Sequence, residues 1–392
     1  MKKNTKFETR AVRTQLKSSN QKELSVPIYA TSSFVFNDVE EGRALFAEEK
    51  EGHIYTRYSN PSNDEFVMKL CALEETEDGI ATASGMAAIF LSFISHLKSG
   101  DHLIACRSLF GSTHLIITRI LPRFGISHTY ISIDDNDEWE KNILPTTRMI
   151  LAETPSNPGL DIIDLEMLGK LAAKYNLLLN IDNTFATPYI QQPVKYGADI
   201  IIHSATKFID GQGRIIGGAV LGSKDIINDI RFMARQSGPC MSPFNSWILS
   251  KSLETLAVRM ERHSINAFEL ARYLENCPEV LWVKYPFLPS YSKYELARKQ
   301  MRLGGGMVTV ELKGGVERAK KFIDSLELLS LTTNLGDTKT IVTHPATTTH
   351  SKLTEEERRA VNITPALIRI SVGLEHIDDI IADVKQAIKK SK

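Results

Sequence analysis

Two apolar runs follow one another in the middle of the chain, Leu177-Leu-Leu-Asn-Ile-Asp182 and Ile200-Ile-Ile-His-Ser-Ala-Thr-Lys207, and each closes on an ionisable residue. Short continuous apolar runs between polar turns suit strands buried on both faces. An acid at the end of one strand and a lysine just past the next suit a cofactor that needs a covalent amine and a partner for a protonated ring nitrogen. Pyridoxal 5′-phosphate (PLP) is such a cofactor.

The surrounding sequence supports a covered sheet. From Tyr55 to about Gly222, strand-like and helix-like stretches alternate. Residues 80–82 lead into Ala83-Ser-Gly-Met-Ala-Ala-Ile-Phe90, and 101–105 and 148–153 read as strands. Asp164 is placed to cap a helix with Leu165, Leu168, Leu171, Ala172 and Tyr175 on one face. The alternation predicts an α/β protein with a mostly parallel sheet flanked by helices. A second region begins near Pro243, where Leu249, Leu253, Leu256 and Met260 have helical spacing that runs on towards Cys277-Pro278. This is a candidate helix linking two domains. Residues 306–312 and 367–372 alternate like strands, and the polar tail 378–392 reads as a closing amphipathic helix. Residues up to about Glu51 show little regular periodicity. The expected division is an extended arm at 1–51 lying on a neighbouring subunit, a large cofactor-binding domain at 52–245, and a small C-terminal α/β domain at 246–392 that includes the linking helix.

Composition narrows the function classes. The 392 residues suffice for two packed domains, and 42% hydrophobic with 24% charged residues is ordinary for a soluble globular chain. Lys plus Arg and Asp plus Glu number 47 each, so there is no global basic footprint for nucleic acid. Cys71, Cys106, Cys240 and Cys277 are scattered without a CxxC pair, which suggests neither a disulfide framework nor a zinc site and fits a reducing cytoplasm. The polar start Met1-Lys-Lys-Asn-Thr-Lys-Phe-Glu lacks the apolar core of a signal peptide, and no apolar run is long enough to span a bilayer. The expected partner is a small molecule, not nucleic acid or membrane.

The candidate site residues gather around Lys207. A lysine after a strand is usually a solvated charge, but His203, Ser204 and Thr206 crowd small polar groups around this one, and Gly211-Gln-Gly-Arg-Ile-Ile-Gly-Gly218 follows. Glycines let a backbone approach a bound group closely. Lys207 is the expected covalent anchor and, once displaced by substrate, a mobile general base. Asp182, which could otherwise be a turn residue before Asn183-Thr184, is the expected partner of the ring nitrogen. Ser84-Gly85-Met86 opens a small-residue helix whose free N–H groups suit a phosphate. Tyr55-Thr-Arg57-Tyr-Ser-Asn-Pro61 sets an arginine and a tyrosine near loop formers. Arg369 interrupts an apolar strand and shares a face with Leu367 and Ser371; its fork suits an α-carboxylate, with a structural ion pair as the competing account. His344 and His350 bracket Pro-Ala-Thr-Thr-Thr without the spacing of a helical metal pair, so a loop at the substrate mouth is expected and no metal.

Taken together these blocks resemble the Cys/Met-metabolism family of PLP enzymes, the trans-sulfuration group of fold type I. The resemblance runs from Ser25-Val-Pro-Ile-Tyr through Tyr55-Thr-Arg57, Ala83-Ser-Gly-Met-Ala-Ala, Glu153-Thr-Pro-Ser-Asn-Pro158, Asp182-Asn-Thr-Phe-Ala-Thr-Pro, His203-Ser-Ala-Thr-Lys207 and His344-Pro-Ala-Thr-Thr-Thr-His350 to Arg369-Ile-Ser-Val-Gly-Leu-Glu375. It implies a mostly parallel seven-stranded sheet flanked by helices and a smaller C-terminal domain. It also implies that Lys207 bonds PLP and that Asp182 pairs with the pyridine nitrogen. Gly85, Met86, Ser204 and Thr206 would hold the phosphate, and Tyr55 and Arg57 would reach it from the neighbouring subunit. Asn157 and Arg369, with Asn334, would hold the substrate. The implied assembly is a homotetramer built as two active dimers.

Within that family, Leu109-Phe110-Gly-Ser112 departs from the Tyr-Gly-Gly or Tyr-Gly-Cys of many relatives. Phe110 can stack on the cofactor ring but has no hydroxyl to donate. A thiol of pKa ~8.5 leaves better with a proton, whereas a carboxylate near pKa ~4 needs none. The change favours acyl-homoserine substrates, although Tyr55 remains a candidate acid. Thr206-Lys-Phe-Ile-Asp-Gly-Gln-Gly-Arg214 and Thr333-Asn-Leu-Gly-Asp-Thr-Lys339 look most like the branch that acts on O-succinylhomoserine with sulfide. The expected reaction is γ-replacement, with cysteine as nucleophile or a γ- or β-lyase activity as alternatives.

Overall fold

The computed structural model describes residues 5–133, 136–348, 351, 354–359 and 363–392. His350 lies outside the described residues.

The large sheet is built from β1 (Asp78–Thr82), β2 (His102–Cys106), β3 (Ser127–Ile131), β4 (Thr147–Glu153), β5 (Leu178–Asp182), β6 (Ile200–His203) and β7 (Gly218–Gly222). Its order is β1-β7-β6-β5-β4-β2-β3. β3, β2, β4, β5 and β6 pair in parallel, while β7 pairs antiparallel with both β6 and β1. Only β7 runs against the rest, so the sheet is mostly parallel, as the alternation predicts. β2 and β6 are buried at every position, which is why they read as unbroken apolar runs rather than alternating ones.

Helices seal both faces of this sheet. The helix Leu165–Tyr175 begins where Asp164 accepts the Met167 N–H at 3.0 Å and stops at Asn176, a left-handed C-cap. Leu165, Leu168, Leu171 and Ala172 are buried, but Tyr175 is 39% exposed and donates its hydroxyl to Glu140 at 2.6 Å. That corrects its expected place on the core face: the last turn lifts the ring off the sheet, and its polar tip finds a surface carboxylate. The arm also differs from expectation. Two short helices, Phe7–Arg13 and Val39–Phe46, form within it, and Phe7 and Ala11 are buried in the large core. Helices of only two turns leave too few apolar repeats for a period to be read.

The second sheet comprises β8 (Val280–Lys284), β9 (Met307–Leu312), β10 (Ser330–Leu331), β11 (Ile341–Thr343) and β12 (Ile368–Ser371), in the order β10-β11-β12-β9-β8. The continuous helix expected from Pro243 is divided into Pro243–Leu253 and Leu256–Glu275. At the break, the Glu254 carboxylate receives the buried Lys69 ammonium at 3.0 Å. The second helix bridges two cores. Leu256, Ala257 and Met260 pack with the large sheet, while Ala267, Leu270, Ala271 and Leu274 pack with the small one. The tail forms the amphipathic helix Ile377–Lys390, which buries Ile380, Val384, Ala387 and Ile388 on the small sheet's core. Ile368, Ile370 and Val372 join that core, and the period-two alternation turns Arg369 and Ser371 to the opposite face, towards the large sheet.

Candidate active site

In open α/β sheets, ligands collect beyond the carboxyl ends of the strands, and five strand ends here deliver residues to one place. β1 leads to Ser84-Gly85-Met86, β2 to Phe110, β4 ends in Glu153 and leads to Asn157, β5 ends in Asp182, and β6 leads to Ser204, Thr206 and Lys207. Together with Arg369 from β12, these residues line one cavity of about 660 Å³.

Lys207 sits at the wall between the two sheets. Its Nζ donates to Asn334 Oδ1 at 2.8 Å. Burial, and then the nearby Arg369 charge, pull its pKa down to about 8. Arg369 is buried, with burial lowering its pKa to about 10. It donates Nη1 to Asn157 Oδ1 at 2.9 Å and Nη2 to the carbonyls of Thr333 (3.2 Å) and Asn334 (3.1 Å). Among the described residues its Nε has no hydrogen-bond partner. No carboxylate among the described residues pairs with it: amide and carbonyl oxygens hold the fork.

Asp182 accepts the Thr184 N–H at 3.0 Å, and burial raises its pKa. Behind it, His203 Nε2 lies 2.6 Å from Glu74 Oε1, which also receives Asn183 Nδ2 at 2.8 Å. On the phosphate side, Ser84 caps the helix Gly85–Ile94 by accepting the Ala87 N–H at 3.1 Å. Gly85 approaches Ser204 so closely that a Cβ would lie 2.6 Å from the serine Cβ. Thr184 Oγ1 accepts the Ser204 N–H at 2.8 Å, and Thr206 Oγ1 bonds both the carbonyl (3.2 Å) and the N–H (3.0 Å) of Gly217.

The lining suits PLP on two counts. The Gly85–Ser204 approach makes a cradle that any side chain at Gly85 would fill. The half-buried Asp182 carboxyl, whose pKa is raised by desolvation, is destabilised as an anion until a cation meets it. Beside them, the Arg369 Nε is a buried donor without an acceptor among the described residues, which suits a further anion in the same cavity.

Gly85, Met86, Phe110, Asn157, Asp182, Ser204, Thr206, Lys207 and Arg369 thus meet at one cavity, with Asn334 touching the lysine. Tyr55 and Arg57 do not. Tyr55 is 42% exposed beside Ser32 and Pro243, and the half-buried Arg57 donates Nη1 to the Arg235 carbonyl. His344 is held within its own loop by Thr347 Oγ1 at 2.9 Å and the Pro365 carbonyl at 2.8 Å, and Thr348 from that loop lines the cavity.

Sequence reasoning missed Glu153. Its Oε2 accepts the Phe110 N–H at 2.8 Å and its Oε1 the Asn157 N–H at 2.9 Å, so one buried carboxyl clamps the aromatic and the amide together. Burial and the Asp182 charge push its pKa well up. The signal was present: 148–153 is an apolar run ending in an acid, the same pattern that singled out Asp182.

The fold and site define a PLP-dependent enzyme of fold type I. The chain belongs to the Cys/Met metabolism PLP-dependent enzymes, whose family model matches residues 8–389. It is 44% identical to the O-succinylhomoserine sulfhydrylase of Pseudomonas aeruginosa, over 97% of this chain and 95% of that protein. It is also 44% identical to the L-methionine gamma-lyase of Fusobacterium nucleatum subsp. polymorphum, over 94% of each. A solved structure of a putative O-acetylhomoserine (thiol)-lyase from Campylobacter jejuni superimposes with a TM-score of 0.95 at 37% identity, covering 98% of this chain and 100% of that one. That structure contains N′-pyridoxyl-lysine-5′-monophosphate. Among the described residues, no helix is long and apolar enough to cross a membrane.

Proposed function

We propose that the chain is a transferase carrying out γ-replacement on an O-acyl-homoserine, converting O-succinylhomoserine and sulfide to homocysteine and succinate. The observation that carries this reading is Phe110. It lines the cavity with a phenyl ring, not a phenol, so that position offers no proton to a leaving group. An acyl carboxylate departs without one, whereas a thiolate gains much from one.

The residues divide the work. Lys207 would hold PLP covalently, Asp182 its ring nitrogen, and the N–H groups and hydroxyls of Gly85, Met86, Ser204 and Thr206 its phosphate. Bound there, PLP supplies an electron sink for the carbanion left when a proton leaves the substrate α-carbon. Arg369 and Asn157 orient the substrate through its carboxylate. The freed Lys207 amine, with its pKa near 8, takes the α-proton and returns it within the substrate. A proton next leaves the substrate β-carbon, to return there after the replacement, and the Cγ–O bond breaks with its electron pair on the departing carboxylate. A Cγ–S bond then forms to sulfide, which gives up a proton.

The assembly we propose is a homotetramer of two dimers, in which Tyr55 and Arg57 complete a neighbour's phosphate site and the arm 1–51 lies partly on that neighbour. Their outward placement, away from the chain's own Lys207, supports this. We propose 52–245 and 246–392 as the two domains. Cys71, Cys106, Cys240 and Cys277 are all free thiols, which suits the cytoplasm.

The lyase reading, in which no thiol adds and a 2-oxo acid leaves with ammonia, is favoured by the equal identity to an L-methionine gamma-lyase. O-Succinylhomoserine offered with equal sulfide and cysteine separates the readings by product mass. Homocysteine supports the proposal, and cystathionine moves it to cysteine as nucleophile. 2-Oxobutanoate alone replaces it with elimination.

A further inference from the structure

The helix Leu256–Glu275 runs through both cores, yet Arg259, His263 and Asn266 on it are polar and buried. Their spacing puts them on one face. Arg259 donates Nη1 to the Phe208 carbonyl at 2.5 Å, and Nη2 to those of Ile209 at 3.0 Å and Ser252 at 2.9 Å. Phe208 and Ile209 directly follow Lys207. One turn along, burial lowers the His263 pKa to about 4, so its ring is neutral. Because a carbonyl only accepts, the hydrogen sits on Nδ1 and is donated to Val372 at 2.7 Å. Asn266 Nδ2 then donates to the carbonyls of Gly373 at 3.0 Å and Glu375 at 2.9 Å. Those residues follow Arg369 at the end of β12.

One face of one helix therefore holds the backbone behind the lysine at one end and the backbone behind the arginine at the other. The two segments are also tied through His263 and through Gly336. The Phe208 ring meets His263 edge-on at 5.2 Å, and a Cβ on Gly336 would lie 2.6 Å from the Phe208 nitrogen. Gly336 in turn donates its N–H to Ser371 Oγ at 2.8 Å. An apolar face would pack this helix without any of these bonds, since burying polar groups gives no net advantage in packing. What the bonds add is register.

We infer that the Arg259–His263–Asn266 stripe fixes the separation between the Lys207 amine and the Arg369 guanidinium, and so sets the span of a two-point grip on an amino acid's amine and α-carboxylate. This rests on the reading of Lys207 and Arg369 given under the proposed function. The three are positioning residues: they touch neither substrate nor cofactor, and act through the segments they hold.

The test uses the holoenzyme and its visible spectrum, titrated with L-norvaline, which engages both ends, and with n-butylamine, the same skeleton without the carboxylate. Arg259→Lys keeps the charge but loses the fork. It is expected to weaken L-norvaline about tenfold or more while leaving n-butylamine within roughly twofold, because only a two-point ligand feels the span. Asn266→Leu, at the other end, is expected to give the same split, and it alone decides if Arg259→Lys does not fold. Equal weakening of both ligands, or no weakening of either, overturns the inference. An unsubstituted enzyme whose spectrum answers neither ligand overturns the reading of Lys207 itself, and the inference with it.

Discussion

Glu153 and Asp182 stand opposite one another at the carboxyl ends of adjacent parallel strands, and both line the same cavity. A buried carboxyl and a half-buried one in register disfavour each other's charge. Burial raises both pKa values, and the Asp182 charge raises that of Glu153 further against the two N–H bonds that lower it. A carboxyl whose folded pKa lies above its unfolded one stabilises the fold fully below the unfolded value, here 4.5. That contribution is lost as pH rises through the folded value. Glu153→Gln removes the ionisation while keeping one acceptor. In the cofactor-free protein, the melting temperature of the variant should therefore gain on the parent progressively as pH climbs above 4.5. A difference that stays constant with pH would show that Glu153 carries no raised pKa.

Lys207→Ala should abolish turnover and, on reconstitution with PLP, the visible absorbance of the lysine-bound cofactor. Absorbance and product formation are read on the same sample. A variant that keeps both cannot have Lys207 as its anchor.

Arg369 lowers the Lys207 pKa through its charge, second to burial. Arg369→Met should move the pH midpoint of Lys207 modification by an amine-directed reagent upward from about 8 in the cofactor-free protein. Mass spectrometry of the modified peptide across a pH series gives the midpoint. A downward shift would contradict the electrostatic account.

Phe110→Tyr adds a phenol where the cavity lining has only a ring. Thiol-releasing substrates should gain most, because their leaving group benefits from a proton. The ratio of kcat/KM for methionine elimination to that for O-succinylhomoserine should rise by about 10- to 100-fold, within the range for a positioned general acid. An unchanged ratio would remove Phe110 as a determinant of the leaving group.

The sequence made the interior of the large sheet readable because β5 and β6 are buried on both faces, and continuous apolar runs ending in Asp182 and Lys207 follow from that. Arg369 was readable for the opposite reason, as a charge breaking an apolar alternation. β7 was not: Gly-Ala-Val-Leu-Gly is too short and glycine-bounded to stand out from the loop before it, and its reversed direction depends on pairing with β1, far off in sequence. The clamp at Glu153 joins Phe110 to Asn157, a relation set only once β2 and β4 lie side by side. Arg259, His263 and Asn266 look like the solvent face of an amphipathic helix, since nothing local reveals that carbonyls from two other segments will meet them. Tyr55 and Arg57 remain outside what one chain brings together.

The reversed strand also sets an order in time. β1 has no ladder until β7 has been made, and Ser84-Gly85 has no Ser204 to close against before β6 exists. The arginine for the carboxylate comes later still, on the last strand of the small sheet. A polypeptide halted between β7 and β10 would carry Lys207 and the residues of the Gly85–Ser204 approach but not Arg369, nor Thr333, Leu335 and Thr348 of the same cavity wall.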